Sequence, residues 1–177
     1  MQIETDLRYP IGKYAPQEYS EELKEQRLAD IRFLPNAIEN AINNLNEEQL
    51  QTPYRPGGWT VHQLVHHVAD SHMNAYIRFK QGIAEDNPTI KPYHEAVWAN
   101  FDDVKNLPVN ISITLLYSLH QRWHEFLKHF KEENWQRTLY HPEYQKQFTL
   151  WHFLGLYSWH CRHHVAHITS LRERMKW

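Results

Sequence analysis

The chain has 177 residues, with 19 Lys+Arg against 21 Asp+Glu and a net charge of −2 when histidine is neutral. That length fits one domain over residues 1–177 with a real hydrophobic core, and the balanced charge gives no positive field for nucleic acid or an anionic membrane. A lone cysteine, Cys161, excludes an internal disulfide framework and a thiolate-rich zinc site, so any metal must be held by nitrogen and oxygen.

The opening MQIETDLRYP lacks a basic segment followed by an apolar run, and nowhere do 18 apolar residues follow one another. Neither secretion nor membrane spanning is indicated, and a cytoplasmic location is expected. Chain breakers gather at Tyr9–Gly12 with Pro16, at Pro53–Gly58, at Pro88–Pro92, at Pro108 and at His141-Pro142. Four long segments lie between them.

Ser20 followed by Glu21 and Glu22 opens a first helix, with Leu23, Ile31, Leu34, Ile38, Ile42 and Leu45 at helical spacing. Pro35 inside it predicts a kink. Thr60 and Gln63 form a capping-box pattern for a second helix, from Val61 to about Ile83, with a buried stripe of Val61, Val65, Val68, Tyr76 and Phe79. A third runs from about Ile111 to Lys131, with Leu116, Leu119, Trp123, Phe126 and Phe130. Thr149 caps a fourth that reaches about Met175. Strand alternation is short and no Asn-Gly or Asp-Gly hairpin occurs. An all-α, antiparallel four-helix bundle follows, with its longest connection, about Ala84–Asn110, between the second and third helices.

The unusual feature of composition is 14 histidines. Four pairs have the i, i+4 spacing that lets one helix offer two ligands: His62/His66, His120/His124, His160/His164 and His163/His167. At about 100° per residue, His160 and His164 fall within roughly 40° of each other, in the sector of Phe153, Tyr157, Ile168 and Leu171. Gly155, Ser158, Arg162, Ala166, Thr169 and Glu173 occupy the opposite side, which reads as a solvent face. The His62/His66 and His120/His124 pairs lie at the borders of their stripes, while His167 points inward and His163 towards an edge. Two unpartnered buried imidazoles would cost about 1–3 kcal/mol each, a cost that a shared divalent metal offsets.

A third ligand must come from another helix. By projection His72 sits mid-stripe in the second helix, whereas His67 lies roughly 120° from its centre, in line with Ser71, Asn74 and Arg78. The wheel favours His72, yet the His67 line also serves as the polar wall of an internal pocket if that helix is packed on two sides.

These residues resemble the DinB/YfiT-like four-helix-bundle metalloproteins, and within them the YfiT branch of metal-dependent hydrolases. The resemblance rests on Trp59-Thr60 leading to His67, on His160-x-x-x-His164 near the C-terminus, and on RYPIGKY at 8–14, TPYRPGGWTVHQLVHHVADSHMNAYIRFK at 52–80, YHPE at 140–143 and GLYSWHCRHHVAHI at 155–168. It implies that His67, His160 and His164 coordinate one divalent metal, zinc or nickel, with water completing the shell, and it overrules the wheel's choice of His72. Where the broader family has Arg-Gly-Gln after the last ligand, this chain has Val165-Ala166-His167. It also implies a homodimer.

Three neutral imidazoles leave the 2+ charge uncompensated and a coordination position open, as in catalytic rather than structural zinc sites. The expected function is therefore metal-dependent hydrolysis of a small-molecule substrate by activated water. The alternative that the resemblance carries is transfer of a bacillithiol-type thiol onto small electrophiles, the open position holding the thiolate. Cys161 stands where an H-E-x-x-H peptidase has its glutamate, which excludes that class, and its own position reads as packing. Asp70, His163 and His167 are the candidate proton carriers or supports of the ligands.

Overall fold

A computed structural model describes residues 6–177; the first half of the MQIETDLRYP opening lies outside them. Ser20 accepts a hydrogen bond from the Leu23 backbone N–H at 3.1 Å and starts α1, Glu21–Ile42, which continues through Pro35. A single turn, α2 (Glu47–Leu50), is capped by Asn46 and Gln49. The capping box expected of Thr60 and Gln63 is formed in both directions at 3.0 and 3.1 Å, and α3 follows over Val61–Ala84. The connection of about 84–110 carries two short helices, α4 (Glu95–Trp98) and α5 (Asp102–Asn106).

The third long helix, α6, spans Val109–Leu127 and ends a turn earlier than the hydrophobic pattern predicts. Phe130, whose N–H donates to the Leu127 carbonyl, turns back onto the core ahead of α7 (Glu132–Trp135). A hairpin then appears where strand signals are weak: β1 (Thr138–His141) pairs antiparallel with β2 (Lys146–Thr149), Thr138 facing Thr149 and His141 facing Lys146. Its loop closes with Gln145 at φ 49°, a left-handed position that usually advertises itself as Gly or Asn. The hairpin fixes the long connection, because Tyr140 N–H donates to Pro88 O and Ile90 N–H donates to Tyr140 O. Thr149 caps α8, Leu150–Met175.

The long helices form a four-helix bundle in which α1 packs on α6 and α8, and α3 packs on the same two. Consecutive long helices α1 and α3 therefore lie across the bundle from each other. Ile31, Leu34 and Ile38 of α1, Leu64, Val65 and Val68 of α3, Leu116 and Trp123 of α6, and Leu154 and Ile168 of α8 fill the centre. Because α8 touches both α1 and α3, its supposed solvent face is partly a contact face. Gly155 and Ser158 are buried, and Ser158 Oγ donates to Asp30 Oδ2 of α1 at 2.6 Å, while Arg162 and Glu173 do face solvent. Among the described residues no helix is long and apolar enough to cross a membrane.

Candidate metal centre

The capping box sets the phase of α3, and two turns later His67 faces α8 rather than solvent. Trp59, just before the cap, lies on it with ring centroids 4.4 Å apart. From α8, His160 and His164 stand one turn apart with their Nε2 atoms 3.0 Å from each other. His67 completes the group: its ring is 5.7 Å from that of His160 and 5.1 Å from that of His164, and one nitrogen from each of the three lies within 4.8 Å of the others. His67 and His164 are buried and His160 is partly open. Burial holds His67 down to about 4 and pushes His160 and His164 well below the ordinary histidine range, so all three rings keep a lone pair at neutral pH. His164 Nδ1 is buried without a hydrogen-bond partner, so that ring's polar contact is made through Nε2 alone.

His72, the choice of the helical wheel, is not in the triad. It stands one layer behind, with Nε2 2.9 Å from His160 Nδ1 and Nδ1 2.9 Å from His120 Nε2. The centre of an apolar stripe faces the middle of the bundle, whereas the triad lies between α3 and α8 to one side. His120 is completely buried and not at a border. His62 and His66 are buried too, as pins for the long connection: His62 Nε2 donates to Val104 O at 2.8 Å, His66 Nε2 donates to Leu107 O at 3.2 Å, and His66 Nδ1 meets Ser112 Oγ at 2.7 Å.

Two cavities meet at His160. One, of about 440 Å³, is lined by His67, His160, His163, His164, His167 and Arg55, among others. His163 and His167 are buried in it with their Nε2 atoms 3.0 Å apart, and Trp159 and Tyr54 stack on their rings. The other, of about 540 Å³, is more aromatic, with Tyr93, Phe148, Phe153 and Tyr157 around Arg78. Glu95 of α4 lines both, and sequence reasoning missed it because nothing in a long connection foretells where one carboxylate will hang. The residue is exposed to solvent at the mouths of the cavities, and partial desolvation of its carboxyl there, with Glu143 nearby, raises it above the usual range. Asp70 lines neither cavity. It is raised to about 6 by burial and by Asp103 of α5, on the other side of α3. Cys161 is buried and its thiol is pushed far up, which suits packing rather than nucleophilic chemistry.

The fold has close counterparts. The DinB superfamily model matches residues 30–168, and the chain belongs to that superfamily. A protein of Bacillus cereus (strain 03BB102) named "Putative metal-dependent hydrolase" is 51% identical over 173 residues, covering 97% of this chain and 99% of the relative. A Bacillus thuringiensis subsp. konkukian protein of the same description matches to the same extent, 51% over 173 residues. The solved structure of YfiT from Bacillus subtilis, described as "a probable metal-dependent hydrolase with an unusual four-helix bundle topology", superposes with a TM-score of 0.94 at 45% identity, over 97% of this chain and 98% of that one.

Proposed function

We propose that the chain is a metal-dependent hydrolase in which His67, His160 and His164 hold one divalent ion, zinc or nickel, that activates water. The observation that carries the reading is the convergence of three neutral imidazoles, with a nitrogen of each within 4.8 Å of the others, at the junction of two cavities. The donor set suits such an ion: imidazole is a common ligand of zinc and nickel, and three neutral donors leave charge and a position for a reactant. When bound, the ion supplies Lewis-acid activation of water or of a substrate carbonyl. The names of the Bacillus relatives point the same way.

The chain's own residues supply the rest. Trp59 fixes the His67 ring from the cavity side. Glu95, poised between the cavities with a raised carboxyl, is placed to take a proton from water and return it to the leaving group. His163 and His167 line the wall next to the triad and contact substrate. In this proposal the chain acts as one domain, residues 1–177, on a small molecule in the cytoplasm, as a homodimer.

The meeting of two cavities at His160 favours one alternative within the same site, transfer of a small bacillithiol-type thiol from one cavity to an electrophile in the other. Elemental analysis of untagged protein, repeated for His67→Ala, His160→Ala and His164→Ala, tests both readings: no metal in the parent protein contradicts them. Turnover of ester and amide panels, against consumption of an alkylating agent with a small thiol, then separates hydrolase from transferase.

A further inference from the structure

Behind the triad, three histidine rings and one carbonyl form a line with a direction. His160 Nδ1 meets His72 Nε2 at 2.9 Å, His72 Nδ1 meets His120 Nε2 at 2.9 Å, and His120 Nδ1 meets the backbone oxygen of Ile31 in α1. A carbonyl can accept but not donate, so the proton at that end is on His120 Nδ1. In a neutral imidazole the other nitrogen is then a lone pair, so His120 Nε2 accepts from His72 Nδ1–H. By the same step His72 Nε2 accepts from His160 Nδ1–H, and His160 Nε2 is left bare, 3.0 Å from His164 Nε2. One acceptor thus orders three tautomers.

That acceptor is available because of a proline. In a regular helix the carbonyl of residue 31 would accept from the N–H of residue 35, and residue 35 is Pro35, which has none. Ile31 and Pro35 are both buried, so His120 replaces in the core the helical partner that Pro35 denies this carbonyl.

We infer that Pro35, His120 and His72 are positioning residues for the metal centre: Pro35 frees the Ile31 carbonyl, and His120 and His72 relay its demand for a proton to His160, whose Nε2 lone pair is thereby presented to the ion. His72 acts through His160 and touches neither ion nor substrate. Its place in the middle of an apolar stripe is explained by this relay. The consequence for the ion rests on the metal reading above, whereas the tautomer order does not.

Two-bond ¹H–¹⁵N correlation spectra of histidine-labelled protein read the tautomers directly, in the metal-free and the zinc-loaded full chain. His120, His72 and His160 are expected as Nδ1–H tautomers in both; a proton on His160 Nε2 in the metal-free protein, or an unprotonated His120 Nδ1, overturns the inference. Two variants test the consequence. His72→Leu interrupts the relay and is expected to weaken zinc binding by about 10- to 100-fold. His72→Gln offers an amide oxygen to His160 and an amide N–H to His120, keeping the same order, and is expected to retain most of the affinity. Equal zinc affinity in the Leu and Gln variants overturns the inference, and if neither variant folds the parent spectra decide. A parent chain with the ordered tautomers but no zinc affinity would reject the metal reading and leave the relay standing.

Discussion

Nε2 of His160 and Nε2 of His164 face each other across 3.0 Å, one helical turn apart in α8. Two bare lone pairs repel at that distance, so a proton or a cation must lie between the rings. Since the relay from Ile31 leaves His160 Nε2 bare, His164 Nε2 carries the proton when no ion is present, and an ion takes over that role with His67 as its third donor.

Removing a donor should therefore act on ion binding and little on the fold. His164→Ala is expected to lower zinc affinity by at least about 100-fold, with helical content by circular dichroism unchanged. His167→Ala, in the same cavity but outside the triad, should keep the ion. Equal affinities in the two variants would contradict the assignment of ligands.

Acid should weaken the metal-free protein in a defined window. Burial lowers His67, His120 and His163 each to about 4 and His167 to about 3. Below about pH 6.5 the unfolded chain takes up protons that the folded chain refuses. The stabilisation is thus complete above that pH and is lost as pH falls towards 4. Asp70, raised to about 6, works in the opposite sense between pH 6 and 4, as do the raised carboxyls of Asp30 and Glu95, three carboxyls against eleven lowered rings. The urea midpoint is expected to be flat from pH 8 to 7 and to fall steadily from 6.5 to 4; a midpoint that stays level or rises over that range would show the rings are not held neutral.

Two carboxylates should separate cleanly in kinetics. Glu95→Gln removes the one acidic group that lines both cavities and is expected to lower kcat by about 100-fold or more with metal content unchanged. Asp70→Asn, facing α5, should leave kcat and metal content near those of the parent. The reverse ranking would move the proton-transfer role to α3.

A packing prediction concerns the seam between α3, β1 and α8. A Cβ at Gly82 would come 2.8 Å from Leu150 Cδ2 and 3.3 Å from Leu139 Cδ2, and both leucines are fully buried. Gly82→Ala gains about 1 kcal/mol of helix propensity but costs about 1–3 kcal/mol of overpacking. A net loss of about 1 kcal/mol is expected in urea unfolding, and a more stable variant would show that the leucines can yield.

Three of the four long helices were legible from their caps, Ser20, Thr60 and Thr149, and from stripes that repeat at helical spacing, whereas α6, which follows Pro108 without a side-chain cap, was legible from its stripe alone. The hairpin was not, since its loop places Gln145 in the left-handed region without glycine. Helical phase brought out His160 and His164, but the same reasoning misplaced the third ring at His72, because phase identifies the bundle centre and not a site between two helices. His67 came from the family resemblance, and the structure sets it beside the pair. Glu95 depends on how the long connection folds back, a tertiary event with no local signal. The role of Pro35 was half visible: its lack of an N–H is read from sequence, but the side chain that meets the freed carbonyl comes from another helix.

The most direct test is an anomalous difference map from crystals of the untagged, zinc-loaded chain, recorded at the zinc edge. One peak per chain is expected, about 2.0–2.1 Å from a nitrogen of each of His67, His160 and His164, with no fourth protein ligand. Absence of a peak there, or an ion closed off by a fourth side chain, would contradict a catalytic metal centre.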